Sequence, residues 1–252
     1  MTYQPPFTIT NSTLKAVAEI SELLGRWSAE TKENLNPQLR RQNRIRTIHA
    51  SLAIENNSLS EKQVSAVLEG KPVLGSPREI KEVQNAILAY DEMQNLQPAN
   101  LNDLLKAHEI LMSALVEEVG KFRSGAVGIY KDKALIHMAP PADRVPHLMR
   151  DLLNWLAKTD VHPLIASCVF HYEFEFIHPF SDGNGRMGRL WQSLILSKWQ
   201  PLFAHLPVET VVYAKQENCY QTLGACDKAG DSTLFIEFML GAIKEAMEEV
   251  VV

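Results

Sequence analysis

An apolar stretch from Pro163 to Ile177 is the feature that most constrains how this chain can fold. Apolar residues lie on most sides of the stretch, and a helix with that pattern is buried at the centre of a protein. Pro179 restricts the backbone of the residue before it, so we predict that the helix ends at Ile177 and that His178 is extended. After Gly185 the apolar residues return at helical spacing, which predicts a second, amphipathic helix. The segment from His178 to Gly185 is therefore a loop between two helices.

Helix-start patterns recur along the rest of the chain. Ser60 with Gln63, and Ser76 with Glu79, have the spacing of capping boxes, in which paired side chains satisfy N–H groups of the first turn. One segment differs, because β-prone residues on both sides of 131–133 predict a short β-hairpin. The expected fold is an all-α bundle with this hairpin. Further helices are predicted over about 100–116, 145–157 and 233–249.

Charge and composition narrow the classes of function. The chain has 25 basic and 30 acidic side chains and a formal net charge of −5, and its arginine cluster at 40–46 fits a solvated helix face. No apolar run approaches the ~20 residues of a membrane span, so we expect no membrane partner. The three cysteines lack metal-type spacing, which favours reduced thiols and a cytoplasmic protein. They are Cys168, Cys219 and Cys226.

The run 178–189 concentrates groups that are suited to phosphate binding. Gly183 and Gly185 can adopt positive φ angles, which lets consecutive backbone amides converge on an anion. The helix that follows adds free N–H groups and a favourable dipole. Arg186 and Arg189 lie three residues apart, so both can reach one anion.

Two further groups in this run complete the chemistry. Asp182 offers a hard oxygen ligand of the kind that binds the Mg²⁺ of a nucleotide polyphosphate. His178 can accept a proton near neutral pH. The run therefore predicts a site that binds a nucleotide and moves a proton.

The run 178–189 resembles the signature of the Fic (filamentation induced by cAMP) family, His-Pro-Phe-x-(Asp/Glu)-Gly-Asn-Gly-Arg-x-x-Arg, at every fixed position. The resemblance implies an all-helical fold and transfer of AMP from ATP to a protein hydroxyl group, with His178 as general base and Asp182 holding Mg²⁺. The related Doc kinases have a lysine and an alanine in this loop, which this chain lacks, so AMP transfer is favoured over phosphate transfer. The residues assigned to nucleotide binding by the resemblance are Gly183, Asn184, Gly185, Arg186, Gly188 and Arg189.

The predicted hairpin, about 126–141, resembles the flap of the family. The preceding Gly120-Lys121-Phe122-Arg123 resembles the family's lead-in to the flap. The resemblance implies that a target protein docks there by strand addition, and that the protein also modifies itself. The docking residues would be Ile136, His137 and Met138.

The nucleotide-base pocket is also assigned by resemblance, to Tyr220 and Asp227. Cys219-Tyr220 stands where the family often has Tyr-Tyr, and Asp227 where Asn is common. Tyr220 could stack on or hydrogen-bond adenine. These departures leave the choice of base open.

A helix predicted over about 44–56 places Ser51 and Glu55 four residues apart on one face. The segment from Ser51 to Asn56 resembles the inhibitory motif of the family, (Ser/Thr)-x-x-x-Glu-(Gly/Asn). A carboxylate against Arg189 would take the partner that the γ-phosphate of ATP needs. We therefore expect Glu55 to inhibit the enzyme from within the chain.

The whole sequence, 1–252, is expected to form a single Fic-type unit. Its N-terminal helical region, 1–95, would carry the inhibitory helix, and the Fic core would occupy 96–252. We expect no nucleic-acid partner unless a C-terminal winged helix, which some relatives carry, follows Val252. Whether the protein forms a homodimer is left open by the sequence.

Several alternatives also remain. Within the family, the donor could be UMP, phosphate or phosphocholine, or Glu55 could assist removal of AMP. His171, Glu175 and His178 lie at i, i+4 and i+7, so a metal hydrolase is a second class of enzyme. A regulatory module without catalysis is a third class.

Overall fold

In the computed structural model, the described residues 3–30, 36–131 and 134–250 form eleven α-helices and one antiparallel β-hairpin. The predicted all-α class with a short hairpin is therefore confirmed. None of these described helices is long and apolar enough to cross a membrane. In chain order the elements are α1 (Asn11–Glu30), α2 (Pro37–Ile54), α3 (Glu61–Leu68), α4 (Pro77–Glu92), α5 (Leu101–Met112), β1 (Gly128–Lys131), β2 (Ala134–Met138), α6 (Val145–Lys158), α7 (Pro163–Ile177), α8 (Asn184–Trp199), α9 (Val208–Ala214), α10 (Gln216–Ala229) and α11 (Thr233–Val250).

Helices α7 and α8 pack against each other at the centre of the bundle, and α6 and α11 cover α7. Phe170 and Phe174 on α7 are fully buried, as are Leu190 and Trp191 on α8. Each large apolar side chain buried in this way contributes about 1.5–3 kcal/mol to folding. The apolar pattern of α7 thus predicted both its limits and its central position.

Gly188 allows α8 to approach α7 closely. A Cβ atom at this position would lie 2.7 Å from Oε1 of Glu175 and 2.8 Å from Cδ2 of His171. Real Cβ atoms do not approach other atoms so closely, so a larger residue here would displace the side chains of Glu175 and His171.

The conformation predicted for His178 is wrong. His178 does leave the helix, but its backbone is left-handed, with φ 49° and ψ 62°, and not extended. Its N–H still donates to the carbonyl of Phe174, at 2.9 Å, so a left-handed residue closes the helix and turns the chain. For a residue with a Cβ this conformation costs about 1–2 kcal/mol, and such strain concentrates at functional sites.

One of the two predicted capping boxes is confirmed. At the start of α3, Gln63 N donates to Ser60 Oγ and the Gln63 side chain accepts from Ser60 N. At the start of α4, the Ser76 side chain makes no capping hydrogen bond. The second capping box was therefore predicted wrongly for Ser76. Glu79 accepts from the backbone N–H of Ser58 at 2.6 Å, which binds α4 to the segment before α3.

Helix α5 is shorter than predicted. It ends at Met112, because Ala114 takes a positive φ of 58° and stops the helical path before residue 116. The helices predicted over 145–157 and 233–249 match α6 and α11 to within one residue at each end.

Helix α2 ends in a Schellman motif, which fixes the position of Glu55. The N–H of Asn57 donates to Leu52 O at 3.0 Å, and the N–H of Asn56 donates to Ala53 O at 3.0 Å. Asn56 has φ 67°, a left-handed conformation that asparagine tolerates better than most residues. Glu55 is therefore the cap residue at the end of α2.

Helix α2 lies against α4 and α9, and its C-terminal end reaches α8. Ile48 and Leu52 face the interior and are almost fully buried. The hydrophobic core of the described residues extends from Ile20 on α1 to Met247 on α11. The division of the chain near residue 95 stays a prediction.

The hairpin pairs Gly128 with Met138 at its open end, and its register shifts between Ile129 and Tyr130. Residues 132–133 of the predicted turn lie outside the described residues. By their backbones, residues 136–138 belong to β2, as predicted.

Arg123 fastens the base of the hairpin to the end of α7. Its guanidinium donates to the carbonyls of His178 at 2.7 Å, Gly125 at 2.8 Å and Pro140 at 2.6 Å. The side chain is buried, and burial lowers the pKa of Arg123. Both ends of the flap are thus held next to the residue that follows α7.

Two matched serine substitutions test the caps. Ser60→Ala should lower the free energy of unfolding by about 1 kcal/mol, since it removes the acceptor of the capping box. Ser76→Ala should change it by less than about 0.5 kcal/mol, because no capping bond is lost. Urea unfolding of both variants gives the comparison, and equal losses would contradict the assignment of the caps.

Candidate active site

A cavity of about 330 Å³ lies between the end of α2, the junction of α7 and α8, and α10. The predicted site residues that line this cavity come from several helices that are distant in sequence. Only the folded structure brings them together. Asp182, Gly183, Asn184, Arg186 and Gly188 do not line this cavity. The predicted residues that do are Glu55, His178, Gly185, Arg189, Tyr220 and Asp227.

The loop before α8 is closed by its own asparagine. The Asn184 side chain accepts from Phe180 N and donates to Phe180 O, both at 2.9 Å. Gly183 has φ 84°, and a Cβ there would lie 2.6 Å from Sδ of Met112, so only glycine fits. The side chain of Asn184 thus shapes the loop. Its predicted contact with phosphate stays a prediction.

His108 supports the same loop from α5. Its ring stacks on Phe180 with centroids 3.7 Å apart, and its Nδ1 accepts from Gly120 N at 2.9 Å. The proton therefore lies on Nε2, which donates to the carbonyl of Asp182 at 3.0 Å. Burial lowers the pKa of His108 to about 4, which keeps the ring neutral. Nothing in the sequence singled out this histidine.

Glu175 lies between two histidines on the cavity wall. Its Oε2 is 3.9 Å from Nδ1 of His178, and its Oε1 is 3.9 Å from Nε2 of His171. His171 also contacts Gln192 through Nδ1 at 2.7 Å, and burial lowers the pKa of His171 to about 4. Within the described ranges no group of three or more His, Cys, Asp or Glu is placed to hold a metal ion.

Arg186 and Arg189 contact different acidic groups, and the expectation that both reach one anion stays a prediction. Arg186 donates to Asp182 Oδ1 at 3.1 Å and lies 3.7 Å from Glu82. Asp182 Oδ1 also accepts from Gly183 N at 2.6 Å. Arg186 is therefore held by acidic residues on the outer side of the loop, while Arg189 lies one helical turn further along and faces the cavity.

Arg189 is held by the end of α2. Its Nε donates to Ser51 Oγ at 3.0 Å, and its Nη2 donates to Ser51 O at 2.9 Å and to Glu55 Oε1 at 2.7 Å. The predicted contact between this arginine and the Ser51–Glu55 face is present. Burial by itself lowers the pKa of Arg189, but Glu55, with smaller contributions from Glu175 and Tyr90, raises it, and the net pKa is raised.

The Glu55 carboxylate also lies over the start of α8. A Cβ at Gly185 would overlap this carboxylate, so the glycine makes room for it. Oxygen ligands and anions are favoured at a helix N-terminus, because the N–H groups there are free. The carboxylate therefore occupies ground that suits a phosphate. Asn56, the last residue of the predicted inhibitory motif, is exposed. Its left-handed backbone conformation ends α2.

The far end of the cavity is lined by α10. The hydroxyl of Tyr220 accepts from Gln216 at 2.9 Å, and the same amide donates to the carbonyl of Ile54 at 3.0 Å. Asp227 accepts from the hydroxyl of Tyr172 at 3.0 Å. Gln216 and Tyr172 were not singled out in the sequence, because neither belongs to a local motif.

The flap reaches the cavity through Gly128, and Met138 is 59% exposed beside it. For Ile136 and His137 only the backbone on β2 is described. The predicted docking of a target at these three residues stays a prediction.

Comparisons with known proteins agree on one family. A sequence profile of the Fic/DOC family matches residues 96–196. A crystal structure of a Fic family protein from Desulfovibrio desulfuricans G20 is 60% identical, with a TM-score of 0.96, and the match covers 99% of this chain and 77% of that one.

Curated relatives are more distant. Protein adenylyltransferase fic-1 of Caenorhabditis briggsae is 33% identical over 177 residues, which is 65% of this chain and 34% of the relative. Protein adenylyltransferase Fic of Nematostella vectensis is 27% identical over 205 residues, which is 76% of this chain and 45% of the relative. The chain thus spans less than half the length of these curated relatives.

His108 should make stability depend on pH. Its pKa is about 4 in the folded protein and 6.5 when unperturbed, so the unfolded chain takes up the proton first as the pH falls. The stabilisation is present above pH 6.5 and is lost towards pH 4, by about 2 kcal/mol between pH 7 and pH 4.5. His108→Gln, which cannot titrate, should show a smaller loss over this interval in urea unfolding. An identical loss in both proteins would contradict the neutral buried ring.

Proposed function

This chain belongs to the Fic family, and from that premise we propose that it transfers AMP from ATP to a hydroxyl group of a protein. The curated relatives that are named protein adenylyltransferase support this activity at the level of the family. The observation that carries the proposal is a single cavity lined by His178, Gly185 and Arg189. A base, a helix N-terminus and a buried guanidinium there face the same volume, as a transfer from a nucleotide requires.

His178 is the proposed general base. It accepts the proton of the target hydroxyl group while the oxygen of that group attacks the α-phosphorus of ATP. The bond from this phosphorus to the bridging oxygen breaks, and pyrophosphate leaves. Such transfers depend mainly on alignment and on stabilisation of charge, so the rigid attachment of His178 to α7 and to Arg123 supports the role.

Asp182 is the proposed ligand of Mg²⁺. Its side chain is 42% exposed, and the bonds from the loop go to Oδ1, while Oδ2 lies 3.7 Å from Arg78. Mg²⁺ commonly takes one or two protein carboxylates together with water and phosphate oxygens, so a single carboxylate fits. The ion would supply positive charge next to the departing pyrophosphate.

Glu55 is the proposed inhibitory residue. Its contact with Arg189 at 2.7 Å occupies the guanidinium that would hold the γ-phosphate. ATP bound beside this contact would have its α-phosphate turned away from the incoming hydroxyl group. Restraint of this kind lies within the chain and needs no second protein.

The target protein would dock at the flap. The proposed mode is strand addition to β2, where main-chain hydrogen bonds give affinity without strict sequence requirements. The bonds of Arg123 to Gly125 and Pro140 support it, because they hold the flap beside His178. The protein itself is a second proposed target.

Removal of AMP is a second candidate function. Glu55 lines the same cavity as His178, with its side chain 35% exposed, and so could orient a water molecule towards a bound AMP ester.

The identity of the donor base is a separate question. Asp227 and Tyr220 could bind adenine, but both positions depart from the usual residues of the family, so the base is left open. Intact-mass measurement after incubation with separate nucleotides and magnesium identifies the donor from the added mass.

His178→Ala should abolish transfer and leave the fold intact. Loss of a general base typically costs ~10²–10⁴-fold. His147→Ala, at an exposed position on α6, is the matched control and should keep wild-type activity. Labelling from radioactive ATP measures both, and near-normal labelling by the His178 variant would refute the proposed base.

Glu55→Gly should raise transfer by tens of fold, because the guanidinium of Arg189 becomes available to the γ-phosphate. Complete release from about 1% to 99% competent molecules would need roughly 5.5 kcal/mol, so a partial gain is expected. Glu55→Gln should give a smaller gain, since the amide keeps one hydrogen bond but loses the charge.

Glu69→Gly is the matched control for Glu55→Gly. Glu69 is the cap residue of α3, as Glu55 is of α2, and is followed by the left-handed Gly70. It pairs with Arg41 and Lys71 away from the cavity, so its loss should not raise labelling. Unchanged labelling and unchanged ATP affinity in Glu55→Gly would show that the end of α2 is an ordinary helix end.

A further inference from the structure

The side-chain amide of Gln216 joins the end of the inhibitory helix to the wall of the candidate active site. Gln216 is the first residue of α10, is half-buried and lines the cavity of 330 Å³. Its Nε2 donates to the carbonyl of Ile54 at 3.0 Å and to the hydroxyl of Tyr220 at 2.9 Å. The amide nitrogen has two hydrogens, so these two bonds use both of them. The mechanism proposed above gives Gln216 no part.

The carbonyl of Ile54 needs a donor from outside its own helix. The last four carbonyl groups of an α-helix have no N–H group of the same helix as a partner. The Schellman motif satisfies the carbonyls of Leu52 and Ala53, and Gln216 supplies the donor for Ile54. Ile54 is only 5% exposed, so an unpaired carbonyl there would be costly. The bond therefore ties the last residue of α2 to α10.

The chain on the other side of Glu55 is also fixed. Asn57, which is 8% exposed, donates through Nδ2 to Glu79 O at 3.2 Å and to Glu82 Oε2 at 2.8 Å, both on α4. Glu55 therefore lies between two attachments, one to α10 at Ile54 and one to α4 at Asn57. The attachment to α10 is the one that lies in the cavity wall.

The bond from Gln216 acts on the peptide group that carries Glu55. The carbonyl of Ile54 and the N–H group of Glu55 belong to one planar peptide unit. A hydrogen bond that fixes this carbonyl limits the positions that Glu55 can reach, and the Glu55 carboxylate contacts Arg189 at 2.7 Å. Under the proposed function that carboxylate must withdraw before the guanidinium can hold a γ-phosphate.

We propose that Gln216 is a positioning residue that holds the end of α2 in place and so sets the strength of the restraint by Glu55. The inference rests on the proposed function. The backbone at the end of α2 moves together with Glu55 when Arg189 is released, and the bond from Gln216 to Ile54 breaks. Rotation of the Glu55 side chain alone would leave that bond intact, so removal of the bond distinguishes the two movements.

The first test is Gln216→Met, which keeps the length of the side chain and removes both N–H donors. With Glu55 present, the variant should raise kcat for labelling by about 5-fold, which corresponds to about 1 kcal/mol, the usual net value of one hydrogen bond. Saturating ATP keeps any change of affinity through Tyr220 out of this measurement. In the Glu55→Gly background kcat should change by less than 2-fold, because the restraint is already gone.

Gln221→Met is the matched control. Gln221 is exposed on the same helix and donates to Glu217 at 3.2 Å, so its replacement should have no effect in either background. Equal changes of kcat by Gln216→Met in both backgrounds, or no change in either, would overturn the proposal.

Gln216→Glu separates the hold on α2 from the stability of α10, and it is the variant to use if Gln216→Met does not fold. A carboxylate in the first turn of a helix is favourable, so this change should not weaken α10. The carboxylate is an acceptor only and would face the Ile54 carbonyl without a proton to donate. It should raise kcat at least as much as Gln216→Met, again only with Glu55 present. Wild-type labelling by Gln216→Glu would overturn the proposal.

A second readout does not depend on catalysis. In wild type the backbone amides of Asn56 and Asn57 are bonded within the Schellman motif, so their hydrogen exchange in NMR should be slow. Gln216→Met should speed that exchange several-fold, because the end of α2 opens more easily, and Gln221→Met should not. Unchanged exchange would refute the attachment at Ile54, even where Glu55→Gly raises labelling. Faster exchange without a gain in Glu55→Gly would instead refute the proposed inhibition, and with it the effect of Gln216 on the restraint, while the attachment itself would be confirmed.

Discussion

The contact between α7 and α8 sets the geometry of the whole candidate site. At Gly188 on α8, even a single methyl group would overlap the side chains of Glu175 and His171 on α7. His178 ends one of these helices, and Arg189 follows Gly188 on the other. Both groups therefore take their positions from the contact between these two buried helices. Close-packed interiors adjust poorly, so a substitution in this contact would alter the site even far from any reacting atom.

The burial of Arg189 makes a guanidinium without an acceptor unfavourable. A buried cation that loses its partner costs several kcal/mol, so the guanidinium cannot remain alone for long. In the structure Glu55 and Ser51 satisfy it. Under the proposed function a phosphate would take the place of the carboxylate. Under that proposal, the burial of Arg189 would disfavour arrangements in which neither the carboxylate nor the phosphate contacts the guanidinium.

Much of the site could be predicted from local sequence patterns. Contacts between residues that are distant in sequence could not be predicted in this way. The loop around Asn184 and the Ser51–Glu55 face were predicted because glycine conformation and helical spacing act over a few residues. His178 was mispredicted, because the rule for residues before proline is a preference that helix closure can override. His108 was missed. It contacts Asp182 across 74 positions of the chain, with no local spacing to mark it.

The Schellman motif at Glu55 bears on how fast the proposed restraint can open and close. Glu55 is the cap residue that follows α2, and helix ends open locally at a small part of the free energy of global unfolding. Helix–coil relaxation of an isolated peptide takes ~0.1–1 μs. Enzymatic turnover typically takes a millisecond or longer. The end of α2 would therefore sample its open and closed positions many times within one turnover, so the restraint would lower every turnover by the same factor without adding a lag before the first.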